Sequence, residues 1–584
     1  MKKVFKNIFF SLIVFILFIA LFEILFSVFC PLPKEAAFQE PFFGIKWALK
    51  ADYQSRLANE IKEYDHPIFI NSKRLRGEEI EYSRKKGEYR ILILGDSQTF
   101  GLGVTERETF SEHIEIMLND NKKINESKYT VINAGMPGTG TFDQMIFLKN
   151  EGIKYAPDLV ILCLYINDFK DNMDKDNEYV FEKIIFDQKK NHLKTFGFNY
   201  REYNENTALH LTRLVFSSIP FYDYLNRKSS LLNFIKQRLR ISMSEGRHKK
   251  ENELVSLLEK HNAADSIWFD KDINKTVKSK ASSPEELAKL LIAEFLISRM
   301  ADYSNEHGAN FLIAVIPSKE EVIGIIPIQE YVFIGKNNED INTFNLAKKF
   351  KDLEKNKLSY LFYPQDLHLS PTGHLAAGYY IASAVAGLFF KDNIFDQEKM
   401  KGYFHKKMNS TRNREINKLY SLRDYPELHY YNAAVLAQSN FKKNINEVIS
   451  ELKRSIMLQK EEKKAPDSML YFLLGRYERL AGNVEDAIQN LLLVDSHEKL
   501  LLASVKRELG FCWLMKKNFT KAEEYFKTSI SLSPKESESY FGLGLIYLEY
   551  KLYPKAVNSL IKANQINPEN KLIFDTLNYA VSLN

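Results

Sequence analysis

Between residues 89 and 390 the apolar positions alternate between two rhythms. Short continuous apolar runs predict strands at Arg90–Leu94, Tyr129–Ile132, Asp158–Leu164 ("DLVILCL"), Phe311–Ile316 ("FLIAVI") and Ser359–Phe362. Apolar residues at helical spacing predict helices at Thr109–Leu118, Phe142–Asn150, Pro284–Asn305 and Thr343–Lys355, with a last helix reaching about Phe390. Runs that are apolar on successive positions suit strands of a parallel sheet covered on both faces. Strands alternating with helices predict an α/β fold, a doubly wound parallel sheet in three layers. Residues 169–283 break this rhythm with Lys, Asn, Asp, Tyr and Phe, and read as an insertion carrying helical pieces at Ser229–Leu239 and Leu254–Lys260.

Both ends differ from the middle. Lys2, Lys3 and Lys6 precede an uncharged run from Asn7 to Leu21, and Glu23 is the only charge from there to Lys34. As a helix, residues 8–29 would span about 33 Å, enough for a hydrocarbon core of ~30 Å. The run is longer than the apolar region of a cleaved signal peptide. It predicts one uncleaved transmembrane helix, its lysine-bearing side cytoplasmic and all later residues extracytoplasmic. From about residue 392 the pattern is helical with a 34-residue echo. Tyr540, Leu543, Gly544, Tyr547, Ala556, Leu560, Ala563 and Pro568 recur one period earlier as Leu509, Gly510, Trp513, Ala522, Phe526 and Pro534. Leu474, Gly475, Ala487 and Leu491 fall in the same frame, and residues 428–461 hold a weaker unit. This frame resembles the tetratricopeptide repeat, an all-α solenoid that presents concave binding surfaces. The resulting plan is an anchor (1–30), a tether (31–88), an α/β domain (89–390), a linker (391–427) and repeats (428–584).

Composition excludes more than it assigns. The 584 residues are too many for one core, since cores divide beyond roughly 250–300 residues. Net charge is +6 and the lysines are scattered among glutamates, so no nucleic-acid footprint stands out. Cys30, Cys163 and Cys512 have no C-x-x-C spacing, which argues against a zinc or thioredoxin-like site and for three unpaired thiols.

The chemistry gathers at strand ends, where sites form in open α/β sheets. The first strand runs into Gly95-Asp96-Ser97, although a turn there needs no serine. The second runs into "NAGMPGTGT" (133–141), whose glycines can point backbone N–H groups into the crevice. The third runs into "YIND" (165–168), placing the amide of Asn167 at the same edge. Asp366-Leu367-His368 follows the last expected strand. A histidine can take a serine proton, and a carboxylate can hold its tautomer. Asp96 and Asp168 read as braces of their turns. His374 is a rival histidine, best read as a surface or packing residue of the last helix.

These four blocks, in this order, resemble the SGNH (GDSL-type) hydrolase family over roughly residues 88–390. The resemblance implies a Ser97–His368–Asp366 triad. It also implies an oxyanion hole formed by the N–H groups of Ser97 and Gly138 and the side chain of Asn167. No metal or cofactor is implied. Tyr165 replaces the usual glycine of the third block, a change that would narrow the site. Asp366 and His368 are separated by one residue, where many members have two. The implied function is an envelope-anchored serine esterase acting on O-acetyl groups of cell-wall or exported polysaccharide. Two alternatives stay open: a lipid esterase, thioesterase or O-acyltransferase, and an inactive scaffold. In each case the repeats would bind a protein or peptide.

Overall fold

The computed structural model describes Phe18, residues 38–171 and 284–584 apart from internal gaps, and the strands at 179–187, 192–200 and 268–269. The span expected at residues 8–29 lies outside the described residues except for Phe18, as does Cys30. Among the described residues no helix is long and apolar enough to cross a membrane. The chain forms two compact units. The first comprises Met1–Val322, Pro327–Phe350 and Tyr360–Leu419, and the second Ile323–Ile326, Lys351–Ser359 and Tyr420–Asn584.

The first unit opens with two antiparallel pairs: β1 (Gln39–Phe42) with β2 (Ile45–Leu49), and β3 (Tyr53–Ala58) with β4 (Asp65–Ile70). This corrects the expected tether at 31–88. Phe38, Ile45, Leu49, Ile68 and Ile70 join the same core as Leu92 and Leu94. The alternation was hard to read because β4 turns His66 inward and Phe69 outward.

The main sheet follows. Its strands are β5 (Glu88–Gly95), β6 (Lys128–Gly135), β7 (Leu159–Leu164) and, after the insertion, two more. The insertion itself holds β8 (Tyr179–Asp187), β9 (His192–Tyr200) and β10 (Trp268–Phe269), which form a separate three-stranded sheet. The helical pieces expected at 229–239 and 254–260 lie outside the described residues. The main sheet is completed by β11 (Asn310–Val315) and β12 (Thr343–Asn345). Its order is β12-β11-β7-β5-β6, with every neighbouring pair parallel. The first strand therefore lies between the second and third, the arrangement that opens a crevice at the strand ends. Gly95 lies in register with Gly135 on one side and Cys163 on the other. A Cβ at Gly135 would collide with the backbone of Thr99 and Phe100, so glycine lets the turn after β5 lie against β6.

Helices cover both faces. They are α1 (Ser97–Phe100), α2 (Phe110–Asp120), α3 (Thr141–Asn150), α4 (Ile166–Asp171), α5 (Pro284–Glu306), α6 (Lys319–Val322), α7 (Ala347–Asn356), α8 (Pro371–Phe389) and α9 (Gln397–Ser421). Leu92, Leu94, Val160 and Leu162 share one cluster with Phe142, Ile146, Ile292, Leu296 and Met300 of α3 and α5. Ile91, Ile93 and Ile161 alternate with them, are also fully buried, and point to the opposite face. On α8, Gly378 lies over the Cβ of His113 on α2, so these two helices approach closely. The start of α8 is written in "SPTG": Ser370 caps by accepting from the Gly373 N–H, and Pro371 takes the first helical position.

Two further expectations are revised. The strand expected at Ser359–Phe362 is absent from the sheet. Tyr360 sits at φ +50, and Phe362 makes only an isolated bridge to Leu369 that closes the loop between them. The fifth strand is β12. The expected linker at 391–427 contains α9, which buries Met400, Phe404, Met408 and Leu419 and stacks Phe404 on Tyr379 at 4.2 Å.

The second unit is a helical solenoid resembling tetratricopeptide repeats. Its helices are α10 (Pro426–Gln438), α11 (Phe441–Glu461), α12 (Ser468–Ala481), α13 (Val484–Leu492), α14 (Lys499–Met515), α15 (Phe519–Leu532), α16 (Ser537–Glu549), α17 (Tyr553–Ile566) and α18 (Lys571–Leu583). Three pairs repeat one contact. Gly475, Gly510 and Gly544 would each place a Cβ 2.6–2.7 Å from Leu491, Phe526 and Leu560, so only glycine lets the paired helices close. Ala487, Ala522 and Ala556 are fully buried in the second helix of each pair. The first helix of each pair ends on a left-handed residue: Gly482, Lys517 and Lys551. Two of these positions carry a side chain where glycine is the unstrained choice.

Lys517→Gly is expected to stabilise the solenoid by about 0.5–1 kcal/mol, because a left-handed residue with a Cβ costs roughly 1–2 kcal/mol and glycine's extra unfolded-state entropy returns part of that. A rise in urea midpoint at constant slope would show it. A fall would mean the Lys517 side chain contributes more than its backbone costs.

Candidate functional site

Ser97 begins α1 directly after β5. Asp96 caps this short helix, its Oδ1 accepting from the Gln98 N–H at 2.9 Å, and its side chain is fully buried. The turn leaving α1 is held by Arg76, whose guanidinium donates to the carbonyls of Phe100 at 2.6 Å and of Gly101 and Val104 at 2.5 Å each. Burial lowers the Arg76 pKa to about 10, against the pull of Glu106 and Glu108.

The residues expected to form a triad lie together. Ser97 Oγ is 2.8 Å from His368 Nε2, and His368 Nδ1 is hydrogen-bonded to Asp366 Oδ1. Asp366 Oδ1 also accepts from the His368 backbone N–H at 2.9 Å. Burial alone would raise the Asp366 carboxyl. The His368 hydrogen bond and charge, the His368 N–H and the Tyr64 hydroxyl outweigh burial and bring it down to about 2. Burial pushes the Asp96 carboxyl up, opposed by the Gln98 N–H, the His368 charge and the amide of Asn167. Asn167 therefore lies beside the turn that carries Ser97. Its Oδ1 is buried without a hydrogen-bond partner among the described residues, and so is Asp96 Oδ2. Gly138 is exposed at φ +73, three residues beyond the end of β6. Gly95, Gly135 and Cys163 end in register, so Ser97, Gly138 and Asn167 all leave from one edge of the sheet.

The remaining residues singled out from sequence support this edge. Asp168 is fully buried and braces the third block, with Oδ2 accepting from the Tyr165 N–H at 2.8 Å and Oδ1 from Gln144 Nε2 at 3.0 Å. The Tyr165 side chain is buried, its hydroxyl beside Gln98, so it packs beneath the site instead of projecting into it. His374 is fully buried, not on the surface. Its Nδ1 accepts from the Phe110 N–H at 3.2 Å, and its ring stacks on Phe110. Cys163 and Cys512 are buried free thiols.

The sequence reading missed what holds the Tyr363–Leu369 loop. Gln98 clamps it twice, donating to the Leu367 carbonyl at 3.1 Å and accepting from the Leu369 N–H at 3.0 Å. Glu63 accepts from the N–H groups of Gln365 at 2.8 Å and Asp366 at 3.2 Å. Lys319 Nζ donates to the carbonyls of Tyr363, Pro364 and Asp366 at 3.0–3.4 Å. One signal was available for Gln98, since it follows the candidate serine directly. Glu63 and Lys319 carried none, because their partners lie about 300 and 45 residues away in the chain.

The second unit has a separate cavity of about 410 Å³. Ile325, Ala433, Phe472, Leu473, Arg476 and Leu501 are among its lining residues. Among the described residues, no group of histidine, cysteine and carboxylate side chains could hold a metal ion.

Fold and geometry thus define a parallel doubly wound α/β sheet followed by a tetratricopeptide-like solenoid. No family model matches the chain. It is similar to the BBSome complex member BBS4 of Bos taurus, 28% identical over 113 residues, which is 19% of this chain. The chain spans 18% of the length of that curated relative. Among solved structures it is similar to MamA, with 20% identity and a TM-score of 0.21 over 24% of this chain and 79% of that one. It is also similar to YrrB, described as a TPR protein with an unusual peptide-binding site, at 15% identity and a TM-score of 0.22 over 38% and 95%. The APC/C hetero-tetramer Cut9-Hcn1 gives 17% identity and a TM-score of 0.26 over 65% and 61%. The repeat assignment rests on the glycine, alanine and turn positions described above.

The depressed Asp366 pKa has a defined stability consequence. A carboxylate whose folded pKa lies below its unfolded value contributes stability above the unfolded pKa and loses it as pH falls through the folded one. The wild-type protein is expected to lose about 2 kcal/mol more than Asp366→Asn between pH ~4 and pH ~2. Parallel denaturation curves for the two proteins across that window would contradict the ion pair.

Proposed function

We propose that the first unit is a serine esterase acting on carboxylic esters. The observation that carries this reading is the 2.8 Å approach of Ser97 Oγ to His368 Nε2, with Asp366 on the opposite nitrogen. Ser97 Oγ attacks the ester carbonyl and passes its proton to His368 Nε2. The tetrahedral oxyanion is received by the N–H groups of Ser97 and Gly138 and by the Asn167 amide. His368 then gives its proton to the departing alcohol. In the second half, water loses a proton to His368, attacks the acyl-enzyme and releases the acid. Asp366 keeps Nδ1 protonated and stabilises the imidazolium. Backbone donors of this kind contribute about 3–4 kcal/mol each where they have been removed in other enzymes.

The substrate proposed is an O-acetylated polysaccharide of the cell envelope, with an O-acyltransferase variant in which a second hydroxyl replaces water. The apolar run at 8–29 supports an anchored, extracytoplasmic enzyme. The second unit would then recruit a protein or peptide, and its cavity beside Arg476 is the place proposed for that contact. The same cavity supports the alternative of a pure binding scaffold.

Fluorophosphonate labelling of the full chain, with peptide mapping, tests the reading together with hydrolysis of p-nitrophenyl acetate. Label is expected on Ser97. Ser97→Ala and His368→Ala are each expected to lower turnover by at least ~10³-fold, as in other serine triads. A folded protein that takes no label and matches Ser97→Ala would leave the scaffold.

A further inference from the structure

We infer that Tyr64, in the N-terminal segment that reads as a tether, is a positioning residue for the Asp366–His368 pair. This rests on the esterase reading above. The Tyr64 hydroxyl donates to Asp366 Oδ2 at 3.1 Å, while Oδ1 faces His368. The two carboxylate oxygens therefore have separate partners, and the carboxylate is kept from rotating about its own axis. Neighbouring Glu63 ties down the backbone of the same residue through the Asp366 N–H. Tyr64 is itself fixed by packing, its ring 5.4 Å from that of Tyr363 and 5.9 Å from that of His66. It is buried, and the segment from Glu63 to His66 enters β4, so the hydroxyl is presented by a folded strand end.

The mechanism is indirect. Tyr64 touches neither substrate nor Ser97. By donating to Oδ2 it draws carboxylate charge away from Oδ1 and fixes the direction in which Asp366 meets the imidazole. Removing the hydroxyl leaves a freer, more basic carboxylate. That carboxylate stabilises protonated His368 more strongly, so the histidine gives up its proton at higher pH. The charged groups facing the pair are Asp96 behind Ser97, Glu63 at the loop backbone and Lys319 on the loop carbonyls. None of them is altered by the substitution.

Tyr64→Phe keeps the ring packing and removes only the hydroxyl. In the full chain it is expected to lower kcat by about 3–30-fold with KM unchanged, and to move the acid limb of the pH–rate profile to higher pH. Tyr82→Phe serves as control, because it removes a tyrosine hydroxyl from a carboxylate away from the site, that of Glu151. It is expected to move neither quantity. A Tyr64→Phe protein that is merely less stable, with kcat and the acid limb unmoved, overturns the inference. The proton NMR resonance of His368 Nδ1–H, assigned with His368→Asn, separates this from failure of the esterase reading. A shift of that resonance in Tyr64→Phe supports the positioning role even if no label reaches Ser97. An unchanged resonance overturns it even in an active enzyme.

Discussion

The candidate site depends on one loop being held still. Tyr363–Leu369 carries the acid and the histidine, yet it belongs to no strand of the sheet and no helix. Each residue ordered in a loop loses roughly 1–2 kcal/mol of backbone freedom, so free loop geometry would not keep His368 at 2.8 Å from Ser97. The molecule answers with contacts from four directions. Gln98 grips the loop from the serine helix, Glu63 and Tyr64 from the N-terminal strands, and Lys319 from α6. The Phe362–Leu369 bridge closes its base. Glu63 and Lys319 are buried charges, and each is directed at several backbone groups of the loop, the arrangement that makes burying a charge tolerable.

Gln98 links the two halves of the arrangement. It is adjacent to Ser97 in the chain, and its side-chain amide binds the main chain on both sides of His368. Movement of the serine turn and movement of the histidine loop are therefore coupled through one side chain. Beneath it, buried Asp96 and Asp168 spend their oxygens on turn N–H groups, and Arg76 on turn carbonyls. The strand-end turns are thus built around polar groups with assigned partners, while the sheet below them is almost wholly aliphatic.

The second unit is organised by a different rule. A glycine on one helix faces a large residue on the next, and an alanine fills the space beside it, three times over. Charge then ties successive repeats together. Glu508, almost fully buried, receives Arg479 at 2.6 Å and Arg507 at 2.9 Å, and Arg507 reaches on to Glu536 at 2.6 Å. Removing either arginine would leave a carboxylate poorly compensated in the interior, so this network is more costly to break than a surface pair.

The strands at 88–95, 128–135, 159–164 and 310–315 were legible because a buried parallel strand must be apolar on consecutive positions. The repeats were legible because their close-packing positions recur at a fixed interval. The candidate serine, histidine and acid were legible as residue types at strand ends and in one short motif. These are local properties, and the sequence by itself determined them. Other features needed the folded chain. The segment at 38–70 joins the core because β4 carries an inward histidine and an outward phenylalanine, which hides its alternation. The helix at 397–421 packs on a thin stripe that its many lysines obscure. The fifth strand lies at 343–345 because Tyr360 takes a left-handed conformation just where the expected strand would run. The distance between Ser97 and His368, and the roles of Glu63, Tyr64, Gln98 and Lys319, were decided by tertiary structure alone. Their partners are far away along the chain, and a hydrogen bond between distant residues leaves no periodicity for a sequence to display.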